Sequence, residues 1–199
     1  MKSLKKTLKE KIFEVKEESK NKIRVWFQDE AKFGLITDLG KRLTTIGVKP
    51  IGEKVFKREW YWLYGAVEPL SGETFYFEYN KLDGICFEDF LKKLSKQYPS
   101  STNLVVLDSC GGHINQEIEI PKNVILEFLP PCSPELNPQE RVWEEFRKWL
   151  KGKIFYTLKD LRKFLKQELN KMTKIQYQSL SFFPYIKEAL QEILNLKIC

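Results

Sequence analysis

Apolar residues recur along the chain with two periods, and the switch between them marks the elements. In residues 1–20, Leu4, Leu8, Ile12 and Val15 stand at helical spacing among Lys and Glu, which predicts a short amphipathic helix or else a charged linker. The run IRVWFQD then alternates, with Ile23, Val25, Phe27 and Asp29 on one face, and predicts a strand that ends on a carboxylate. WYWLYGAV and ETFYFEY, separated by Pro69, Ser71 and Gly72, predict an aromatic-rich hairpin. Between Asp83 and Tyr98 the period returns to helical through Ile85, Phe87, Phe90, Leu91 and Leu94, and Pro99 stops it. NLVVLDS is the short apolar run of a buried strand, with Asp108 at its C-terminal end. A loop (SCGGH), a brief helical segment and a further strand, VILEFL, lead to Pro130 and Pro131. After the SPELNP turn, Val142, Trp143, Phe146, Trp149 and Leu150 share one face of a helix over 138–151, and amphipathic segments follow at about 158–172 and 184–196.

Three strands, a helix, a strand, a short helix, a strand and then helices make an α/β chain. The order is that of a ribonuclease H-like fold, a mixed sheet flanked by helices, here with extra C-terminal helices. Such a scaffold names no chemistry by itself. With 199 residues, 42% of them hydrophobic and 14% aromatic, the chain suits one well-cored domain. It divides into an N-terminal helix or linker (1–22), a central unit (23–175) and a C-terminal helical extension (176–199).

Charge adds a partner class. Lys and Arg outnumber Asp and Glu by 34 to 27, a net charge of +7, which favours a polyanion. The four cysteines, Cys86, Cys110, Cys132 and Cys199, form no CxxC pair, so neither a zinc site nor a disulfide framework is expected and the thiols read as reduced and cytoplasmic. The charged N-terminus is no signal peptide, and no stretch approaches the roughly 18 apolar residues of a membrane span.

Three carboxylates stand at element ends. Asp29 and Asp108 converge if their strands are neighbours; the plain alternatives are a charge where a strand meets a turn and a turn-starting Asp before Gly111 and Gly112. Glu140 has a stronger alternative. Asn137 is a good N-cap, Pro138 suits the first helical position, and Glu140 then completes a capping box. Taken together, however, three hard oxygen donors meeting at one place suit Mg²⁺ or Mn²⁺, and two such ions about 4 Å apart can drive in-line displacement at a phosphodiester.

The segments FQDEAKFG, VLDSCGGH and FLPPCSPELNPQERVWEEFRKWLK resemble the three motifs of the mariner-like transposase superfamily, most closely its bacterial insertion-sequence branch. The last is the most specific: a proline-rich turn, Leu-Asn-Pro, a Glu two residues on and a Trp three beyond. LYGAVEPLSGE joins the resemblance, which runs from about residue 23 to about residue 165. It implies a catalytic (DDE) domain at 23–175 in which Asp29, Asp108 and Glu140 hold two divalent ions. Glu144, one turn after Glu140, competes for the third position, and Glu30 points to the opposite face of its strand. His113 stands where the family usually has His, either near the scissile phosphate or ordering its loop. Ser109, Gly111, Gly112, Cys132 and Leu43 depart from the pattern and put the loop around Asp108 in question.

The activity implied is water attack on the phosphodiester at each element end. Attack by the freed 3′-hydroxyl on target DNA follows, often at a TA dinucleotide. Lys32, Lys41, Arg42 and Lys49 in the basic stretch 31–59, and Arg147, Lys148 and Lys151 further on, are candidate phosphate contacts or solvated surface charges. Relatives carry a helix-turn-helix region before the catalytic domain, whereas only 28 residues precede Asp29, which fits a split element with a separate helix-turn-helix subunit as partner, a decayed fragment, or a catalytic domain cloned by itself. A homodimer at the nucleoid is the implied working form. Two rivals remain: a non-catalytic DNA-binding protein derived from a transposase, and a ribonuclease H-like nuclease that cuts without joining.

Overall fold

The computed structural model describes residues 2–37, 45–47, 53–108, 118–131 and 133–195. In chain order the elements are α1 (Lys2–Glu18), β1 (Lys22–Gly34), β2 (Trp60–Glu68), β3 (Glu73–Tyr79), α2 (Gly84–Gln97), β4 (Ser101–Leu107) and β5 (Val124–Phe128). A 3-10 turn at Pro134–Leu136 then leads to α3 (Gln139–Leu150), α4 (Leu158–Lys171), α5 (Lys174–Ser181) and α6 (Pro184–Asn195). The five strands form one mixed sheet in the order β3-β2-β1-β4-β5. β1 pairs antiparallel with β2 and parallel with β4, which places it at the centre.

Alternation along β1 sorts its side chains between two cores. Val25, Phe27, Ala31 and Phe33 face a core shared with Leu8 and Ile12 of α1, Val142, Trp143 and Phe146 of α3, Leu161 and Leu165 of α4, Tyr177 of α5 and Ile186, Ala189 and Leu190 of α6. Trp26 faces the other core, with Tyr64, Val105 and Phe87, Phe90, Leu91 and Leu94 of α2. β4 is buried at every position, as a parallel strand covered on both faces must be. Helices therefore lie on both faces, in the arrangement that the element order predicts.

Several expectations change in detail. β1 does not end at Asp29 but continues through Gly34, because Ala31 and Phe33 keep the alternation going and β2 stays paired to Gly34↔Trp60. Residues 2–18 form a packed helix rather than a linker, since Leu8 and Ile12 share the core with α6. α5 was not anticipated; Thr173 and Gln176 close a full capping box at its start. The brief helix expected after His113 falls largely outside the described residues, and residues 118–120 are not helical. Among the described residues no helix is long and apolar enough to cross a membrane. Cys86 carries a free thiol; the other three cysteines lie outside the described residues.

Candidate active site

The parallel register between β1 and β4 runs Val25↔Leu104, Trp26↔Val105 and Phe27↔Val106, and there it stops. Continued by two residues, it sets Asp29 beside Asp108, which directly follows the last residue of β4. On its other side β1 remains paired, with Asp29 opposite Gly65 of β2. The sheet thus has a step at Asp29, where one neighbouring strand has ended and the other has not. Both carboxylates are half-buried at this step. Asp108 Oδ1 is buried with no hydrogen-bond partner among the described residues, the condition of an oxygen awaiting a ligand.

α3 crosses this step and is tied to β1 on either side of Glu140. Asn137 Nδ2 donates to the Gln28 carbonyl at 2.8 Å, and Trp143 Nε1 donates to Asp29 Oδ2 at 2.9 Å. Residues 137, 140 and 143 are three apart, so they lie along one face of the helix and its first turn. The expected capping box does not form: Asn137 Oδ1 accepts from the Gln139 amide at 3.1 Å, the Glu140 amide donates instead to the Asn137 backbone carbonyl at 3.1 Å, and Pro138 is already helical at φ −65° and ψ −17°. The reciprocal bond, from the Glu140 carboxylate back to residue 137, is absent among the described residues. Glu140 Oε2 instead lies 3.6 Å from Arg147 Nη1. Glu144 is exposed and acts on neither aspartate.

Electrostatics bind the acids into one group. Burial, above all, holds the Asp29 carboxyl well above the usual carboxylate range, and the charges of Glu30, Glu140 and Asp108 push the same way, against an opposing hydrogen bond from the Glu30 backbone. Asp108 is raised by burial and then by Glu140, Glu30 and Glu135. Glu30 points away from Asp29, as period two requires, and accepts from Gln28 Nε2 at 2.9 Å, yet its charge reaches both aspartates. From α6, Tyr185 donates its hydroxyl to the Leu136 carbonyl and lies close enough to Asp108 to feel its charge.

Mutually repelling carboxylates, one with an orphaned oxygen, are the donor set of a hard divalent cation, so Mg²⁺ or Mn²⁺ fits the chemistry. As placed, no three His, Cys, Asp or Glu side chains among the described residues stand close enough together to hold an ion. Lys32, Arg147 and Lys153 line one cavity of about 130 Å³, which the Arg147–Glu140 pair links to the acids. Lys32 Nζ rests 3.7 Å over the Trp60 ring, Lys148 is engaged with Glu145 at 2.9 Å, and Lys151 is exposed at the end of α3. His113, Lys41, Arg42 and Lys49 lie outside the described residues, as do Leu43, Ser109, Gly111, Gly112 and Cys132.

Sequence periodicity reads Trp143 and Gly65 as core and strand; it misses their place at the site. A Cβ built on Gly65 would meet Trp143 Cη2 at 2.5 Å and Tyr76 Cε1 at 2.7 Å, so the missing side chain is the space in which the indole lies.

An uncharacterized protein of Sinorhizobium fredii, y4pE/y4sA, is 34% identical over 104 residues, covering 51% of this chain and 77% of that protein. A pre-cleavage Mos1 transpososome is similar with a TM-score of 0.67 at 11% identity, over 94% of this chain and 60% of the other. The Mos1 strand transfer complex is similar with a TM-score of 0.63 at 15% identity, over 94% and 58%. The isolated catalytic domain of Mos1 mariner transposase gives 0.57 at 13% identity, over 94% and 88%. Mos1 paired-end complexes with Mn and with Mg share the fold too. The chain spans roughly three-fifths of the transposase chains in the complexes (58–60%), and the likeness establishes the ribonuclease H-like fold. A family model described as DDE superfamily endonuclease matches residues 24–162, most of the sequence. The chain belongs to the DDE superfamily endonucleases.

Proposed function

We propose that this chain is the catalytic part of a transposase, cutting and joining DNA with Asp29, Asp108 and Glu140 as the ligands of two divalent ions, Mg²⁺ or Mn²⁺. The observation that carries the reading is the step in the sheet, where the β1–β4 register, continued by two residues, sets Asp29 beside Asp108, and Asp108 Oδ1 is buried without a partner among the described residues. Family membership and the metals named in the Mos1 complexes support it. Residues 23–175 carry the chemistry, with α1 and the C-terminal helices bracing them.

Bound divalent ions would supply charge neutralisation at the phosphate and an activated oxygen nucleophile. The chain's own residues do the rest. Asp29, held by Trp143, and Asp108 would present carboxylate oxygens from neighbouring strand ends, and Glu140, on the helix that bonds Asp29, would supply the third. Lys32, Arg147 and Lys153 offer cations to the phosphates of a strand entering beside the acids. Water attacks the phosphodiester at an element end, and the freed 3′-hydroxyl then attacks target DNA. On this reading the DNA partners are element ends and target, met by a homodimer.

The test uses plasmid nicking and joining of precut ends in Mn²⁺. Asp29→Asn, Asp108→Asn and Glu140→Gln are each expected to abolish both, whereas Glu144→Gln retains them. Undiminished nicking in both aspartate variants refutes the assignment. Cutting without joining by the wild-type chain makes it a nuclease of the same fold instead.

A further inference from the structure

Trp143 is fully buried, and its rings lie 6.1 Å from Phe33, 5.9 Å from Tyr76 and 5.4 Å from Phe146 between centroids. An indole N–H is a donor only, and within these aromatic walls its partner is a carboxylate, Asp29 Oδ2 at 2.9 Å. Burial obliges any indole N–H to find an acceptor, as Trp26 Nε1 does at Asn103 Oδ1 (3.1 Å); what sets Trp143 apart is that its acceptor is one of the candidate metal ligands. Two further features converge on the same contact. Gly65, paired with Asp29 across β1 and β2, leaves the gap that the ring enters, since any Cβ there would overlap Cη2 and Cζ2. Asn137 fixes the other end of the same helical stretch to the Gln28 carbonyl, so the ring's approach to Asp29 is set at two points.

We propose that Trp143 is the positioning residue of Asp29: its indole N–H fixes one carboxylate oxygen and so orients the group for a divalent cation, with Gly65 as the seat of the ring. The proposal rests on the reading of Asp29 as a metal ligand. Groups that hydrogen-bond a metal ligand orient it and tune its basicity, and their loss typically costs about 10- to 100-fold in metal affinity.

The experiment has two readouts on the full chain. In ¹⁵N-labelled wild-type protein the Trp143 indole resonance, assigned by its NOEs to the rings of Phe33, Tyr76 and Phe146, is expected to move on Asp29→Ala more than those of the other four tryptophans. Calorimetric Mn²⁺ titration is expected to show binding weakened about 10- to 100-fold in Trp143→Phe and also in Gly65→Ala, which keeps every chemical group but displaces the ring. Should folded Trp143→Phe bind Mn²⁺ within about twofold of wild type while Asp29→Asn has lost the site, the positioning role is overturned and the metal reading stands. If Asp29→Asn itself binds as wild type does, the metal reading falls and the proposal with it. Where Trp143→Phe does not fold, the indole resonance decides: a shift on Asp29→Ala supports the contact, and an unmoved resonance overturns it.

Discussion

Gly65→Ala should destabilise the chain, and the sign of the change carries as much information as its size. In a strand interior, glycine is normally about 0.5–1 kcal/mol worse than alanine, so with open space above it this substitution would stabilise. Gly65 has no such space: its Cβ would stand 2.5 Å from Trp143 Cη2, 2.8 Å from Trp143 Cζ2 and 2.7 Å from Tyr76 Cε1. None of these atoms is the end of a flexible side chain. Tyr76 is itself held against Trp143, Phe146 and Tyr177 at centroid distances of 5.9, 5.8 and 6.4 Å. Overpacking of this kind costs about 1–3 kcal/mol, and a ring pushed off Asp29 forfeits a hydrogen bond as well, for an expected total of about 2–4 kcal/mol. For a chain of this size that lowers Tm by about 4–16 °C. Urea unfolding with a common m-value measures the same quantity at fixed temperature. The double variant with Trp143→Phe separates the clash from other effects, because phenylalanine lacks both offending indole atoms. Alanine at 65 should then cost less by about 1–3 kcal/mol than in the wild-type background. A stabilised Gly65→Ala, or costs that simply add to within about 0.5 kcal/mol, would refute the account of how the ring is seated.

Three further outcomes follow from the site and its supports. The carboxyls of Asp29 and Asp108 are raised above their ordinary value of 3.8, so the folded chain holds more protons than the unfolded one between the two. Their contribution to stability is complete below that value and is lost as pH rises through the raised folded values; metal-free Tm should fall over this range, less so in Asp29→Asn, and saturating Mg²⁺ should restore it. A metal-free pH profile identical in wild type and Asp29→Asn contradicts the shift. Arg147→Ala breaks an ion pair whose members are 51% and 36% exposed, so stability should change by less than about 1 kcal/mol. DNA binding should weaken across all sequences and lose about one unit of salt slope, and an unaltered slope removes Arg147 from the phosphate contacts. Ile12→Ala empties a fully buried position between α1 and the core and should cost about 2–5 kcal/mol in urea unfolding, whereas a neutral result makes α1 dispensable.

Local pattern made most of the elements legible, and the misses share a physical cause. β1 reads as ending at Asp29 because Asp29, Glu30 and Lys32 are charged, yet Ala31 and Phe33 continue the buried face beneath them. What keeps the strand going is its pairing with β2, a partner more than twenty residues away in sequence. α5 has a weak apolar face and is held by Tyr177 and Ser181 against other elements; its one local sign was the Thr173 and Gln176 capping box. Asp29 and Asp108 could be placed together only through a strand order, since nothing in either segment states that β1 and β4 are neighbours. The need for glycine at 65 arises from Trp143, and is invisible until the two are brought together.

Glu140 shows why a local explanation and a functional one need not compete. The capping signature around Asn137 is not realised as a box: its Oδ1 takes the Gln139 amide, and its own amide is spent on the Gln28 carbonyl. That second bond is what carries the start of α3 to the step in the sheet. Free of a capping bond, Glu140 lies 3.6 Å from Arg147 of the same helix, and its charge raises both aspartates. Three residues on, Trp143 occupies a position that helical periodicity assigns to the core, and it is in the core, yet its one polar atom is aimed at Asp29. The stripe of α3 that buries apolar surface and the stripe that builds the site therefore run side by side from residue 137 to residue 143. Their common spacing of three is a statement about one helix face. On the proposed reading the Asn, Glu and Trp of the motif are a tether, a carboxylate and a brace, of which Asn137 and Trp143 bond β1 directly.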